Sequence, residues 1–404
     1  MAVNTVPLSA RLARIKPSPS SAARARVTEL VRQGRTILDL TIGEPDLDTP
    51  EFVKDAAIAA MARGETKYTG SYGTLELRQA VAEKFRRENG LVFDASQIFI
   101  GAGAKQVLHN AFAATLNTGD EVIIPAPYWV SYPDMVLLSG GTPVVLSTRV
   151  EAGYKMQAAQ LERAITPRTR WVVLNSPNNP TGASYTRGEL RELADVILAH
   201  DHVWLLTDDI YEHFHYSDGK ALTLLEVAPE LAERTLVVNG VSKAYAMTGW
   251  RVGYGAGPKA LIEQLATLQS QTTSCVSSIS QAAAAAALTG PQAFVADCVA
   301  TFKQRRDRAM AILNTVDLLE CVSPAGAFYI FPSCERVIGR ATPSGRRIGN
   351  DVDFSSYLLE HAGVAVLDGS AYGVSPSIRL SFATRIDIVE EACLRIKEAC
   401  ESLV

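Results

Sequence analysis

Beyond Pro50 the chain alternates two kinds of apolar spacing. Leu77, Val81 and Phe85 recur every four positions and mark one face of a helix. Short, nearly continuous apolar runs follow in QIFIGAG, EVIIPAP, TPVVLS, WVVLN, VWLLTDDIY, TLVVNG and RVGYGAG. Helix-like windows lie among them, including Ala104 to Leu116 and Arg187 to His200. Apolar strands without strict alternation are buried on both faces, so the pattern predicts a parallel or mixed sheet covered by helices. An Ala-rich region from Ile262 to Leu288, and its continuation to about Leu313, reads as helices interrupted at Gly290-Pro291. The C-terminal part mixes strands (AFYIF, GVAVL, SIRLSF) with helices near Asp351 to His361 and Ile386 to Leu403. The expected fold class is α/β, with a smaller α+β part.

Composition narrows the function classes. The 404 residues allow about two domains. With 47% hydrophobic and 20% charged residues, a sizeable core is available. A formal charge of −4 gives no electrostatic footprint for nucleic acid. The longest uncharged stretch, Gln264 to Ala296, is broken throughout by Gln, Ser and Thr, so no membrane span is expected. Six cysteines, all in the C-terminal third and without a CxxC pair, read as reduced thiols of a cytoplasmic protein, with Cys275 as a buried small hydrophobe. Met1 to Thr28 carries five basic residues and no acid, the composition of a mitochondrial transit peptide, which is the alternative to a cytoplasmic location.

In an open parallel sheet, ligands bind at the C-terminal ends of the strands. The segments that follow the strands here are GAGAKQ, PAPYW, NSPNNPTG, DDIY and GVSK. GAGAKQ is neither a dinucleotide fingerprint, since Gln106 occupies the third glycine position, nor a P-loop. It is a small-residue turn opening a helix at Ala104, suited to one phosphate or simply a turn. His213 and His215 could share one strand face, but no further Cys/His pattern accompanies them, and no metal site is expected. Asp208 and Tyr211 could be a turn former and a core phenol. Lys243 in NGVSKAYAMTGWRVGYG lies among small and apolar neighbours, where a charged amine is costly unless neutralised or bonded. Taken singly these residues have ordinary explanations. Together with Asn179 and Trp129 they match the needs of a covalently held pyridine aldehyde. That chemistry requires a lysine, a carboxylate at the ring nitrogen and donors to the phenolic oxygen. It also uses an aromatic on the ring face and a helix N-terminus for the phosphate.

The ordered motifs NSPNNPTG, TDDIYEH, SKAYAMTGWRVGY and SIRLSFAT resemble the fold-type I pyridoxal-phosphate enzymes, in the aspartate/aromatic aminotransferase group. The likeness runs from LARIKPS to the last helix and is strongest to the bacterial aspartate aminotransferases, some of which also act on prephenate. It implies an N-terminal arm over residues 1–48, a large cofactor domain over 49–300 and a small domain over 301–404. It implies pyridoxal 5′-phosphate as cofactor, with Lys243 as its covalent anchor and the proton carrier. Asp208 would pair with the ring nitrogen, Asn179 and Tyr211 would donate to the phenolic oxygen, and Trp129 would stack on the ring. The Gly103-Ala104-Lys105 turn and Arg251 would hold the phosphate, and Tyr68 would reach the phosphate of a neighbouring subunit, implying a homodimer. Arg379 would clamp the substrate α-carboxylate, with Gly43 closing over it and Asn179 and Trp129 also bordering the substrate.

The implied activity is ping-pong transfer of an amino group between an L-amino acid and a 2-oxo acid. Aspartate or glutamate with oxaloacetate or 2-oxoglutarate is the expected pair, with prephenate as a candidate acceptor. Alternatives are an aminotransferase for neutral or aromatic amino acids and a β-eliminating C–S lyase. A transcription regulator with a borrowed aminotransferase domain would need a DNA-binding module ahead of TIGEPD, and roughly forty residues are too few. Two departures stand out. Gly240 occupies a position where many relatives carry a phosphate-binding hydroxyl. No arginine lies between Lys259 and Lys303, where animal-type relatives bind the distal carboxylate. Lys16 in IKPSPS and Lys105 are the candidates to replace it.

Overall fold

A computed structural model describes residues 9–17 and 19–404, so the first part of the basic N-terminal segment lies outside the described residues. The seven predicted strands form one sheet in the order Ile98–Gly101, Gly253–Ala256, Thr235–Gly240, Trp204–Asp208, Thr169–Asn175, Glu121–Ala126 and Thr142–Ser147. Gly253–Ala256 pairs antiparallel with both neighbours, and the remaining pairings are parallel. Three of these strands are buried at every residue and three more at all but one, which is why they read as continuous apolar runs; Thr142–Ser147, at the sheet edge, is partly exposed. Apolar cores lie on both faces. One collects Leu77, Val81 and Phe85 with Leu190 and Leu193, and the other collects Val107, Leu108 and Phe112 with Leu261 and Leu265.

Local chemistry sets the helix limits. Arg187–Leu198 starts at a reciprocal cap between Thr186 and Glu189 and buries Leu190, Leu193, Ala194 and Ile197, the three-and-four spacing of a core-facing stripe. The Ala-rich region differs from the expectation. It contains a second break, so that Lys259–Ser270 and Ser278–Thr289 are separate helices before Ala293–Leu313. The break falls in a Thr- and Ser-rich turn where Ser274 adopts φ 63°, a conformation outside any helix. No single helix among the described residues is long and apolar enough to cross a membrane.

A further core forms around Phe302, Phe328, Ile330, Leu380 and Cys393. It is framed by a three-stranded antiparallel sheet, Leu367–Asp368, Ile378–Ser381 and Tyr329–Ile330. The N-terminal strand Leu38–Asp39 pairs in parallel with Val364–Ala365, tying the two ends of the chain together. Tyr211 and Phe214, just beyond the strand ending at Asp208, also join this core. The main sheet's C-terminal edge therefore faces the Arg379 strand across a cleft. Cys275 is half-buried rather than buried, and its sulfur accepts the Thr69 N–H at 3.4 Å.

Candidate active site

That cleft holds a cavity of about 400 Å³. Its wall includes Gly43, Ala104, Lys105, Trp129, Asn179, Asp208, Tyr211, Lys243, Arg251 and Arg379, which the sequence placed on separate segments. Gly103 stands directly behind it. Lys16 and Tyr68 are not brought into the wall. Lys16 is exposed, with its charge reaching Asp134, and Tyr68 is 90% exposed on this chain.

At the floor, Asp208 ends its strand 4% exposed. One carboxylate oxygen accepts the Tyr132 hydroxyl at 2.6 Å and the other the Ile210 N–H at 3.3 Å. Burial raises its pKa to about 6, against the pull of those two bonds. Asn175, the register partner of Asp208 in the adjacent strand, donates to the Asp208 carbonyl at 2.7 Å and accepts the Asn179 N–H at 2.9 Å. These bonds fix the start of the Asn-Pro loop against the end of the next strand.

Lys243 sits in the turn after Thr235–Gly240 and donates to the Gly43 carbonyl at 2.5 Å. The residue is half-buried and lines the cavity, and its amine is desolvated by the surrounding protein. This desolvation lowers its pKa to about 8; Glu44 opposes the shift, and Arg379 and Arg251 add to it. An amine tuned so close to neutrality fits a nucleophile and base.

Arg379 is 3% exposed, lies over the Tyr329 ring at 4.5 Å and donates to the Asn179 side-chain oxygen at 3.3 Å and to the Thr41 carbonyl. Among the described residues its buried Nε has no partner. A buried guanidinium with an open donor is a ready receptor for a carboxylate. Tyr211 and Tyr329 share a hydroxyl–hydroxyl bond of 2.8 Å beside it.

At the opposite end, the helix Ala104–Thr115 begins at Gly103 (φ 85°) with no side-chain cap, so its first N–H groups remain for a ligand. A Cβ on Gly103 would lie 2.4 Å from the Arg251 guanidinium, so only glycine lets the arginine close over this turn. Arg251 has φ 57°, an uncommon conformation for a side-chain-bearing residue, and donates to Thr248 and Ala102 carbonyls at 3.0 and 3.3 Å. Lys105 lies 4.7 Å from the centre of the Trp129 ring, and desolvation and Arg251 hold its pKa below the usual value. Gly240 has a structural reason. A Cβ there would stand 3.0 Å from the backbone of Val252 and Gly253, so a hydroxyl-bearing residue would push the strands apart.

Reading the sequence missed Tyr132, Asn175, Tyr329, Glu44, Ser21 and Arg24, all on the same wall. Asn175 carried a signal, being the first amide of NSPNNP. Tyr132 and Tyr329 are indistinguishable in sequence from core aromatics, and Arg24 lay hidden in the basic N-terminal segment. His213 bonds Glu88 at 3.0 Å, and with Glu212 these make a group of three potential metal ligands. The Lys84 ammonium already lies among them, ion-paired to Glu212 and bonded to Asn89 at 2.8 Å.

A lysine, a carboxylate and an anion-binding helix start at one sheet edge define a fold-type I cofactor enzyme, and comparison with known proteins agrees. Residues 35–396 match the family model for aminotransferase class I and II, and the chain belongs to that family. A probable aspartate/prephenate aminotransferase of Rhizobium leguminosarum bv. phaseoli is 53% identical over 97% of this chain and 98% of that protein. The aspartate/prephenate aminotransferase of Cereibacter sphaeroides is 51% identical over 98% and 99%. The solved aspartate aminotransferase of Rhizobium meliloti superposes with a TM-score of 0.97 at 51% identity, covering 99% of this chain and 100% of that one. The chain is thus a pyridoxal 5′-phosphate-dependent aminotransferase, with an amino acid and a 2-oxo acid as substrates. The donor set fits the cofactor: a near-neutral amine, a buried carboxylate, and a glycine cradle under an arginine.

Proposed function

We propose that the enzyme exchanges the amino group of aspartate or glutamate with oxaloacetate or 2-oxoglutarate, and accepts prephenate as a further oxo acid. The observation that carries this reading is the charge of the cavity wall. Five basic side chains (Arg24, Lys105, Lys243, Arg251 and Arg379) face two acids, Glu44 and Asp208. With Arg251 and Lys105 on the phosphate, Lys243 on the aldehyde and Arg379 on one carboxylate, the wall still holds the Arg24 charge for a second carboxylate. The names of the relatives point the same way.

In this reading Lys243 anchors the cofactor, and Arg251, Lys105 and the N–H groups at Gly103 and Ala104 hold its phosphate. Bound pyridoxal 5′-phosphate supplies an aldehyde and an electron-withdrawing ring. Asp208 keeps a proton on the ring nitrogen, Asn179 and Tyr211 donate to the phenolic oxygen, and Trp129 covers the ring face. Arg379 fixes the α-carboxylate under Gly43, which orients the substrate Cα–H toward Lys243 Nζ. A base with a pKa near 8 takes that proton efficiently at neutral to mildly alkaline pH. Tyr68 completes the phosphate site of a second subunit, so the working form is a homodimer. The six free cysteines suit a cytoplasmic location.

Single amino acids added to purified holoenzyme, with loss of the cofactor's visible absorbance followed in time, test the substrate pair. Aspartate and glutamate are expected to react faster than alanine, valine or phenylalanine. Preference for a neutral amino acid would remove the dicarboxylate reading and leave amino transfer standing.

A further inference from the structure

Beside Val81 and Phe85, in the core on the opposite sheet face from the helix Ala104–Thr115, lies a buried polar junction that the site described above does not use. Lys84 ends the helix Leu75–Lys84 and is fully buried, its amine 4.9 Å from the centre of the Phe85 ring. The ammonium is ion-paired to Glu212, lies 3.5 Å from Glu88 and donates to the Asn89 side-chain oxygen at 2.8 Å. Glu212 completes the junction. The carboxylate oxygen paired with Lys84 also accepts the Asn239 amide at 2.5 Å, and the other accepts the Asn89 amide at 2.9 Å. Burial alone would raise the Glu212 pKa, but the Lys84 charge, aided by His213, holds it below the usual value. None of Lys84, Glu88, Asn89, Glu212 and Asn239 lines the cavity.

The junction reaches the cavity by two short routes. In the turn after the strand Trp204–Asp208, Asp208, Ile210 and Tyr211 line the cavity, whereas the next residue, Glu212, bonds Lys84 and Asn89. The second route is Asn239, which gives its amide to Glu212 and accepts the Gly240 N–H on its own side-chain oxygen at 2.7 Å. Gly240 ends its strand, and Lys243 follows three residues later. Register pairing of these two strands stops at Asp208 and Val238, and the last backbone bond runs from the Asp209 N–H to the Val238 carbonyl at 2.9 Å. Beyond that point the Glu212–Asn239 bond continues the link between the two turns through side chains. A buried ion pair adds little net stability over apolar packing, but its hydrogen bonds define a geometry.

We infer that Glu212, held by Lys84 and Asn89, is a positioning residue of the reaction: it clasps the turn carrying Tyr211 to the turn carrying Lys243. This rests on the roles proposed above for those two residues. It adds that their spacing is set from behind the cavity, by a carboxylate that touches neither substrate nor cofactor. Opening the clasp leaves both side chains in place chemically but frees the two turns to move apart.

The test opens the clasp in two ways. Asn239→Ala removes it and leaves the ion pair whole. The double variant Lys84→Met, Glu212→Met replaces the pair by apolar chains of similar size and leaves no buried charge unpaired. Each is made with Tyr211 present and in a Tyr211→Phe background, and Glu83→Gln, exposed and paired only with Arg86, is the control. Melting of the apoprotein establishes folding. Calorimetry gives the affinity of the apoprotein for pyridoxamine 5′-phosphate, and kcat of the holoenzyme is measured with its preferred amino acid. The amino form of the cofactor is not attached to Lys243, so the affinity reads the Tyr211 route while kcat reads both. With Tyr211 present, either variant should weaken the affinity by about fivefold and lower kcat on the order of tenfold, the size of one charge-assisted hydrogen bond. In the Tyr211→Phe background the affinity should change by less than about twofold, because the group being positioned is already gone. Glu83→Gln should match wild type. Equal affinity losses with and without Tyr211 would overturn the inference, as would a lower melting temperature with affinity and kcat unchanged. Tyr211→Phe that by itself leaves the affinity unchanged would overturn the proposed role of Tyr211, and its positioning with it. Should the double variant fail to fold, Asn239→Ala decides by the same criteria.

Discussion

The floor and the mouth of the cavity are built on different principles. At the floor, Asp208, Asn179, Tyr211 and Arg379 are each at most 5% exposed; Asp208 is bonded to Tyr132, Tyr211 to Tyr329, and Arg379 to Asn179. Asp208 is set by the register of the parallel strands and Arg379 by that of the antiparallel strand Ile378–Ser381. A strand cannot slip by one residue without turning every side chain to the other face. At the mouth, Arg24 and Lys105 are exposed and neither carries an ion pair among the described residues; Tyr68 lies outside the wall and is exposed on this chain. The floor is fixed before any ligand arrives and determines the reaction. The mouth carries exposed charges, which in the proposed reading select among substrates.

Removing the amine of the floor gives the largest effect. Lys243→Ala should lower turnover by at least roughly 10²–10⁴-fold, the range for loss of a positioned acid–base group, while the protein stays folded. Borohydride reduction of native holoenzyme followed by peptide mapping should find the cofactor fixed at Lys243. A label on another lysine would place the anchor elsewhere and break the contrast at its centre.

A preorganised floor should also store a stability cost in the absence of cofactor. The Lys243 pKa falls from 10.5 to about 8 because burial disfavours the charged form. Below pH 8 the amine is charged both folded and unfolded, so the cost is fully present. Between 8 and 10.5 the folded state sheds its proton first, and stability rises with pH. Apo Lys243→Met should therefore be more stable than apo wild type at pH 7, by at most about 3 kcal/mol given the amine's access to cavity water. The gain should shrink as pH passes 8. Denaturant unfolding at pH 7 and pH 10 measures it, and a gain that grows with pH would contradict the sign.

This division also explains what the sequence disclosed. Asp208, Lys243 and Asn179 follow apolar strands, and strand runs can be recognised one segment at a time. Their convergence follows from the rule that ligands sit at strand ends. Tyr132, by contrast, serves the site only through a contact 76 positions away, and its own surroundings are those of any buried tyrosine. Arg24 was obscured because a basic tail and a cavity-lining helix have the same composition; only packing of Ala23 and Val27 separates them. The extra helix break at Ser274 was missed for a related reason. Uncharged Gln, Thr and Ser neither favour nor forbid a helix strongly.

Arg379→Lys tests the edge of the floor that touches substrate. A lysine cannot keep bonds to Asn179 and Thr41 and also present a planar fork to a carboxylate. The loss in kcat/KM should be roughly 2–3 kcal/mol for every amino acid, neutral or acidic alike. A loss confined to acidic substrates would instead assign Arg379 to the distal carboxylate.

The proposed homodimer can be tested by complementation. If Tyr68 serves the neighbouring subunit, mixing Tyr68→Ala with Lys243→Ala under subunit exchange leaves one native site in each heterodimer. Random exchange then regenerates about a quarter of native sites, read as activity above the Tyr68→Ala background. No gain despite demonstrated exchange would mean that each site is built from a single chain.

Lys16 should give the smallest effect, and it separates a charge acting at a distance from one acting by contact. Sequence resemblance made Lys16 a ligand for the distal carboxylate, whereas the structure leaves it exposed, outside the wall, with its field reaching Asp134. A solvent-exposed ammonium near a cationic mouth raises the local concentration of dicarboxylates, and salt screens that attraction over about 10 Å. Lys16→Ala should therefore lower kcat/KM for aspartate by only about twofold at low salt, and the difference should vanish near 0.5 M salt. Alanine as substrate should be unaffected at either ionic strength. A large loss that persists in high salt would show that the N-terminal segment folds further inward and brings Lys16 onto the substrate. The mouth would then include a moving element, and its contrast with the rigid floor would be greater than the static arrangement alone implies.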